Sequence, residues 1–273
     1  MKTAIVFDSA GTLLRVYRVA REVRSGKLVE NVVSTNMIVE GRQCVLIALR
    51  IATLDTLSKA NPETTISGFI KEEHIGFDVI CRGLKCTSER ISAAIEKDTT
   101  ATMRDIQEAI EAVKLKCKDI YYLNIGLVVD VSTNTIPYVL ATGGRIFPGA
   151  QETVRNLSHG ADIYIASGDN RRSLEGLAED LGLDRANVFD AVSPSGKMDL
   201  VLRLKKEYDR VVMVGDGIND QLAFQVADLS ILTLQQKGLK PDILYETADV
   251  TVDDIREVEG IVKESLHTNM RNK

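Results

Sequence analysis

Four apolar runs of the sequence end in side chains that can move or hold a charged group. AIVF at 4–7 is followed by Asp8 and then by SAGT through Thr12, and DIYIA at 162–166 by Ser167, Gly168, Asp169 and Asn170. VFDAVSPSG leads into Lys197, and RVVMV at 210–214 into GDGIND, which spans Gly215 to Asp220. A carboxylate nucleophile, a hydroxyl, a lysine and a second acid cluster are the parts of a phosphoryl-transfer site. Asp8 and Asp216 can share a Mg²⁺ ion, which takes one or two carboxylates together with water and phosphate oxygens. Lys197 and the Ser167 hydroxyl can hold phosphoryl oxygens while charge spreads over them. Each residue alone has a plainer use. Asp8 could satisfy turn amides, Lys197 could be a solvated lysine at a helix start, Ser167 and Asp169 could serve a turn, and Asn219 and Asp220 could cap the following helix. Thr12 reads as a turn-stabilising hydroxyl or as a phosphate contact through its backbone, and Gly11, Gly215 and Gly217 suit either close backbone approach or ordinary turns. It is the recurrence of such residues after four apolar runs that favours chemistry.

To meet, these residues need strands whose ends converge. From about residue 145 onward the chain alternates DIYIA, VFDAV, RVVMV and LSILT with segments whose apolar residues recur at three and four, the pattern of βαβ units and a parallel sheet. Pro148 opens one expected helix, in which Ala150, Val154 and Leu157 share a face before Gly160; the next carries Leu174, Leu177, Ala178 and Leu181 and closes at Gly182. Residues 3–7 have the same buried character and are expected to pair among these strands. In such a sheet a ligand lies in the crevice beyond the strands' carboxyl ends. The middle of the chain has another texture. NVVSTNMIVE, CVLIALRIA, YYLNIGLVVDV and TIPYVLAT read as strands, the last two as a hairpin turned at STN, with helices near 65–73, 87–97 and 100–116. The expected fold is therefore α/β, a Rossmann-like parallel-sheet core made of residues 1–18 and 143–273, with an α/β domain of residues 19–142 inserted as a cap or nucleotide-binding-like domain.

Composition narrows the partners. With 273 residues and 44% apolar side chains the chain can bury a substantial core, and its formal charge of -5 gives no sequence-wide attraction to nucleic acid or an anionic membrane. No apolar run approaches the roughly 18 to 20 residues that cross a bilayer, and the amino end shows no signal-peptide pattern, so a cytoplasmic protein is expected. Cys44, Cys81, Cys86 and Cys117 have no CxxC spacing and read as free thiols.

In this order the motifs DSAGTLL, ASGDN, PSGK and VGDGINDQLAFQVADLSI, with ETADVTV beyond, resemble the haloacid dehalogenase superfamily, and more narrowly the phosphorylation domain of P-type ATPases. The resemblance covers residues 1–14 and about 143–260. It implies that Asp8 is phosphorylated, that Ser167 and Lys197 bind phosphate with Thr12, Gly168 and Asn219 around them, and that Asp8, Asp216 and the backbone carbonyl of Ala10 hold Mg²⁺, supported by Asp220 and Asp169. The implied substrate is a small phosphorylated compound, with ATP as one candidate.

Ala10 departs from the pattern. Most phosphatases of the superfamily carry an aspartate two residues after the nucleophile, which protonates the leaving group and then activates water. A methyl group does neither, and general acid and base help is worth about a hundred- to ten-thousand-fold. Slow hydrolysis of the phosphoenzyme is the expected consequence, as in P-type ATPases, which resemble this chain in lacking the acid there. Two alternatives stay open. The D-x-A-G-T run also resembles phosphonoacetaldehyde hydrolases, which form a Schiff base with a cap lysine, for which Lys27, Lys59, Lys71 and Lys85 are candidates. The chain could also be a regulatory module that binds phosphate or nucleotide with little turnover.

Overall fold

The computed structural model describes residues 2–30, 32, 43–51, 54–82, 86–117, 122–168, 171–190 and 192–271. The chain opens with β1 (Thr3–Phe7), whose five residues are all buried, as in a strand covered on both faces. It continues through β2 (Leu14–Glu22), β3 (Leu28–Glu30), β4 (Cys44–Leu49), α1 (Leu54–Lys59), α2 (Ile66–Glu72), β5 (Phe77–Arg82), α3 (Ser88–Lys97), α4 (Met103–Lys116), β6 (Tyr122–Asp130) and β7 (Thr135–Ile146). Alternation then sets in: α5 (Ala150–Ser158), β8 (Asp162–Ala166), α6 (Arg171–Leu181), β9 (Val188–Phe189), α7 (Pro194–Leu204), β10 (Arg210–Gly215), α8 (Gln221–Phe224), β11 (Leu229–Thr233), α9 (Asp242–Thr247), β12 (Val250–Val252) and α10 (Glu257–Arg271).

Two compact units result, one of Met1–Val16 with Arg145–Lys273 and the other of Tyr17–Gly144. The division falls two residues from each change of texture at 18/19 and 142/143, because β2 and β7 are continuous strands that run from one unit into the other.

The first unit is built on a parallel sheet in the order β12-β11-β10-β1-β8-β9. Numbered by their succession within this unit, the strands run 6-5-4-1-2-3, so the direction of winding reverses between β1 and β10. That is where an open α/β sheet leaves a crevice at the strands' carboxyl ends. Phe7 pairs in register with Val214, which places Asp8 and the GDG turn side by side at the reversal. The expected helix faces are present: Ala150, Val154 and Leu157 of α5 and Leu174, Leu177, Ala178 and Leu181 of α6 are all buried. Gly149 and Gly182 bound these helices with φ of 85° and 68°, a left-handed conformation that glycine adopts without steric cost. The VFDAV strand is shorter than its apolar character predicts. It pairs with β8 only through Val188 and Phe189, since an edge strand is held from one side alone.

The second unit carries the sheet β3-β2-β7-β6-β4-β5, whose registered pairs are antiparallel. Ile91, Ala94 and Ile95 of α3 and Met103, Ile106, Ala109, Ile110 and Val113 of α4 join Val45, Ile47, Leu127 and Val139 of the strands in one core. The STN hairpin forms, with Asn134 at φ 55°. The expectation of a strand at NVVSTNMIVE falls almost entirely outside the described residues.

Candidate active site

Asp8 leaves the end of β1 with its N–H donated to the carbonyl of Val214 at 2.9 Å. The chain then folds back tightly: the Ser9 carbonyl accepts from the N–H groups of Leu13 and Leu14, and Gly11 N–H donates to Leu14 O at 2.7 Å. Gly11 takes φ 87°, and a Cβ there would overlap the Asp216 carboxylate, so both conformation and space demand glycine. Ser167, at the end of β8, donates its N–H to Phe189, and its hydroxyl lies 2.6 Å from that of Ser9.

Lys197 arrives on α7. Ser193 caps this helix by accepting from Gly196 N–H, with Pro194 in the first turn, and the buried residues Lys197, Leu200, Val201 and Leu204 form one stripe. The lysine thus occupies a core-facing position, and its side chain is only 3% exposed. The turn after β10 brings in the acids. A short 3-10 turn over Ile218–Asp220 sends the Asp220 carboxylate back to accept the N–H groups of Asp216 and Gly217 at 3.0 and 3.1 Å.

Three buried or half-buried acids gather here: Asp8, Asp216 and Asp220 each offer an oxygen, all within 4.8 Å of one another. The Lys197 ammonium bridges Asp8 at 2.5 Å and Asp220 at 2.6 Å. A second ammonium, from Lys240, lies 2.5 Å from both the carbonyl oxygen and Oδ2 of Asp216. Three carboxylates therefore meet two cations. Burial pushes the Asp8 carboxyl well above the usual carboxylate range; Lys197 pulls it down, and Asp220 and Asp216 raise it further. Asp216 is also raised by burial, with Lys240 opposing. Burial works against the charge of Lys197, but Asp8 and Asp220 together hold its pKa above the ordinary lysine value. An oxygen-only donor set with excess negative charge suits a small hard divalent cation such as Mg²⁺.

Of the residues singled out in the sequence, Asp8, Lys197, Asp216 and Asp220 meet directly, and Ser167 joins them through Ser9. Ala10 is half-buried and bridges to Leu14. Gly168 and Asn219 are exposed, and Asp169 lies outside the described residues. The reading of Thr12 as a turn-stabilising hydroxyl is corrected: its N–H donates to Ser9 and its carbonyl accepts from Gln235, while the wholly buried hydroxyl has no hydrogen-bond partner among the described residues. Main-chain bonds hold this turn. Lys27, Lys59 and Lys71 are all exposed, without the desolvated surroundings that activate a Schiff-base lysine, and Lys85 lies outside the described residues. Lys240 and Ser9 were missed. Ser9 sits inside the first motif and could have been suspected as a small hydroxyl beside the nucleophile, but nothing in QQKGLKPD distinguishes Lys240 from Lys237.

A family model of haloacid dehalogenase-like hydrolases matches residues 2–228. The chain belongs to that family. It is accordingly an enzyme of the hydrolase class, with the parallel core sheet and an inserted α/β cap domain. It is 31% identical to a soluble P-type ATPase-like phosphatase of Methanocaldococcus jannaschii over 274 aligned residues, covering 100% of this chain and 97% of that one. A probable copper-importing P-type ATPase A of Enterococcus hirae is 36% identical over 115 residues, which make up 42% of this chain but 15% of the ATPase. Among solved structures, a phospho-aspartyl intermediate analogue of phosphoserine phosphatase aligns with a TM-score of 0.46 at 18% identity, covering 97% of this chain and 99% of that one. Among the described residues no helix is long and apolar enough to cross a membrane.

Proposed function

We propose that this hydrolase is a Mg²⁺-dependent phosphohydrolase that acts on a phosphate monoester or nucleotide through an aspartyl phosphate at Asp8. The observation that carries this reading is the buried Asp8 carboxylate at the winding reversal, bound to Lys197 and within reach of Asp216. Asp8 and Asp216 would hold the metal with the Ala10 carbonyl, and Asp220 would support them. The ion would offset the negative charge that otherwise repels a phosphate from three acids.

Lys197 has two tasks. It opposes the burial that raises the Asp8 carboxyl, and its ammonium stands where the oxygens of a phosphoryl group on Asp8 gather charge. An Asp8 oxygen attacks phosphorus, the bond from phosphorus to the leaving oxygen breaks, and that oxygen takes a proton from water because residue 10 has none to give. Water then attacks phosphorus, the Asp8 oxygen departs as carboxylate, and inorganic phosphate is released. Ser167 orients the transferred group together with Ser9, while Thr12, Gly168 and Asn219 border it. With Ala10 supplying no general base, the second step is the slow one. The inserted unit selects the substrate in a cytoplasmic setting.

The test is a panel of phosphate esters, nucleotides and phosphonoacetaldehyde assayed with Mg²⁺, with acid trapping of labelled protein. Label on Asp8 and release of phosphate support the proposal. Label on another residue overturns it; acetaldehyde release would favour the Schiff-base reading, and binding without turnover the regulatory module.

A further inference from the structure

The Lys240 ammonium has a place in this site that none of the sequence motifs accounts for. It comes from the loop 234–241 between β11 and α9, and it takes two oxygens of one residue, the carbonyl and Oδ2 of Asp216. Its side chain is 10% exposed and that of Asp216 16%, so the pair is largely withdrawn from water. The loop is anchored just before the lysine. Gln235 donates to the Thr12 carbonyl and to the Thr233 hydroxyl, and the Gln236 amide pairs with both the N–H and the carbonyl of Val16 at 2.9 and 3.1 Å. Between these anchors and Lys240 the chain has Gly238 at φ 148° and the fully exposed Leu239, so the ammonium can leave Asp216 without disturbing a packed core.

On the reading of Asp216 as a metal ligand, this arrangement has a consequence. A divalent cation held by the Asp216 carboxylate must compete with an ammonium that already rests on its Oδ2 at 2.5 Å, since like charges that close repel strongly in a site withdrawn from water. We infer that Lys240 is a tethered counter-cation that a divalent metal must displace from Asp216, and that this residue therefore sets the metal affinity of the site. The lysine keeps the three-acid cluster tolerable before metal arrives and weakens metal binding in return. It is a positioning residue, acting through Asp216 and not on the substrate.

The experiment measures Mn²⁺ binding to the full chain without substrate, by titration calorimetry and by the resonance of free Mn²⁺. In Lys240→Gln, which keeps a hydrogen-bond donor and loses the charge, Mn²⁺ should bind about tenfold more tightly than in the parent, equivalent to about 1.4 kcal/mol. Lys240→Arg keeps the charge and should stay within about twofold of the parent. The rise in thermal midpoint on adding Mn²⁺ should likewise be larger for the Gln variant, because ligand binding to the folded state stabilises it in proportion to affinity. In the parent, saturating Mg²⁺ should shift the side-chain nitrogen resonance of Lys240, a measurement that needs no variant. An equal or weaker Mn²⁺ affinity in Lys240→Gln, or an unmoved Lys240 resonance in a parent that binds metal, overturns the inference and leaves the metal reading standing. Absence of Mn²⁺ binding in both proteins overturns the metal reading and this inference with it.

Discussion

Both units bury carboxylates, but they treat them in opposite ways. In the inserted unit Asp98, 1% exposed, accepts from the N–H groups of Thr100, Ala101 and Ile136 and from the Thr100 hydroxyl at 2.8 to 3.1 Å. Asp105 is paired with buried Arg21 at 2.9 Å and accepts the Thr102 N–H that starts α4. Each acid there has its own donors and ties loops to helices or strands. In the parallel-sheet unit Asp8, Asp216 and Asp220 crowd within 4.8 Å around two lysines, and two of the three are pushed toward protonation. A buried charge with a complete donor set supports a fold, whereas buried like charges left together cost stability and are kept for another reason. On the proposed function, the contrast distinguishes acids that hold structure from acids that do chemistry.

The strongest way to break this contrast is Asp8→Asn. Phosphoenzyme labelling should fall to background while the thermal midpoint holds or rises, because one of three crowded charges is gone; a destabilised variant that still labels would refute the assignment. Lys197→Met comes next. It removes the cation shared by Asp8 and Asp220, and turnover measured with saturating substrate should drop by about a thousandfold, at the upper end of what one charge-stabilising donor supplies. A rate within a few fold of the parent would reduce Lys197 to a core lysine. Asp98→Ala should do the reverse. Its stranded donors should cost about 3 kcal/mol in denaturant unfolding, with turnover per folded molecule unchanged. Loss of turnover in a stable variant would erase the difference between the units. The smallest effect is expected for Ala10→Asp, which places an acid two residues after Asp8. Decay of the phosphoenzyme should accelerate about ten- to a hundredfold, less than a fully oriented base would give. The gain should appear only at saturating Mg²⁺, since a further carboxylate otherwise adds to the repulsion. Unchanged decay at saturation would mean that the missing acid does not limit the second step.

The sequence made these two units legible to different degrees. Parallel strands buried on both faces read as unbroken apolar runs, which is why β1, β8, β10 and β11 were visible, and a polar residue directly after such a run is conspicuous. β2 was not recognised, because LRVYRVARE carries Arg15, Arg18 and Arg21 across an otherwise apolar pattern, and Arg21 is buried through its partners Asp105 and Glu108. No local pattern announces a pairing with residues more than eighty positions away. β5 (FDVICR) and α1 (LDTLSK) were missed because polar and charged residues interrupt their apolar positions, so neither reads as an unbroken run. The candidate site divides along the same line. Asp8, Ser167, Lys197, Asp216 and Asp220 each lie in a motif next to a strand end or at a helix start, so their meeting follows from the topology. Lys240 reaches Asp216 from a loop whose path is decided by the amide contacts of Gln235 and Gln236, and such contacts leave no trace in spacing.

Gly11 and Ala10 are neighbours, yet they have very different freedom to change. A side chain of any size at residue 11 would have to evict the Asp216 carboxylate and also adopt a left-handed backbone, so this position admits one amino acid while the acid cluster stands. Residue 10 already carries a Cβ and is half-buried. On the proposed aspartyl-phosphate route, a single substitution at residue 10 would alter the lifetime of the intermediate while residue 11 keeps the loop in place. On that proposal the first loop would be adjustable at the letter next to one that is frozen, a short mutational path between an enzyme that holds its phosphate and one that discards it.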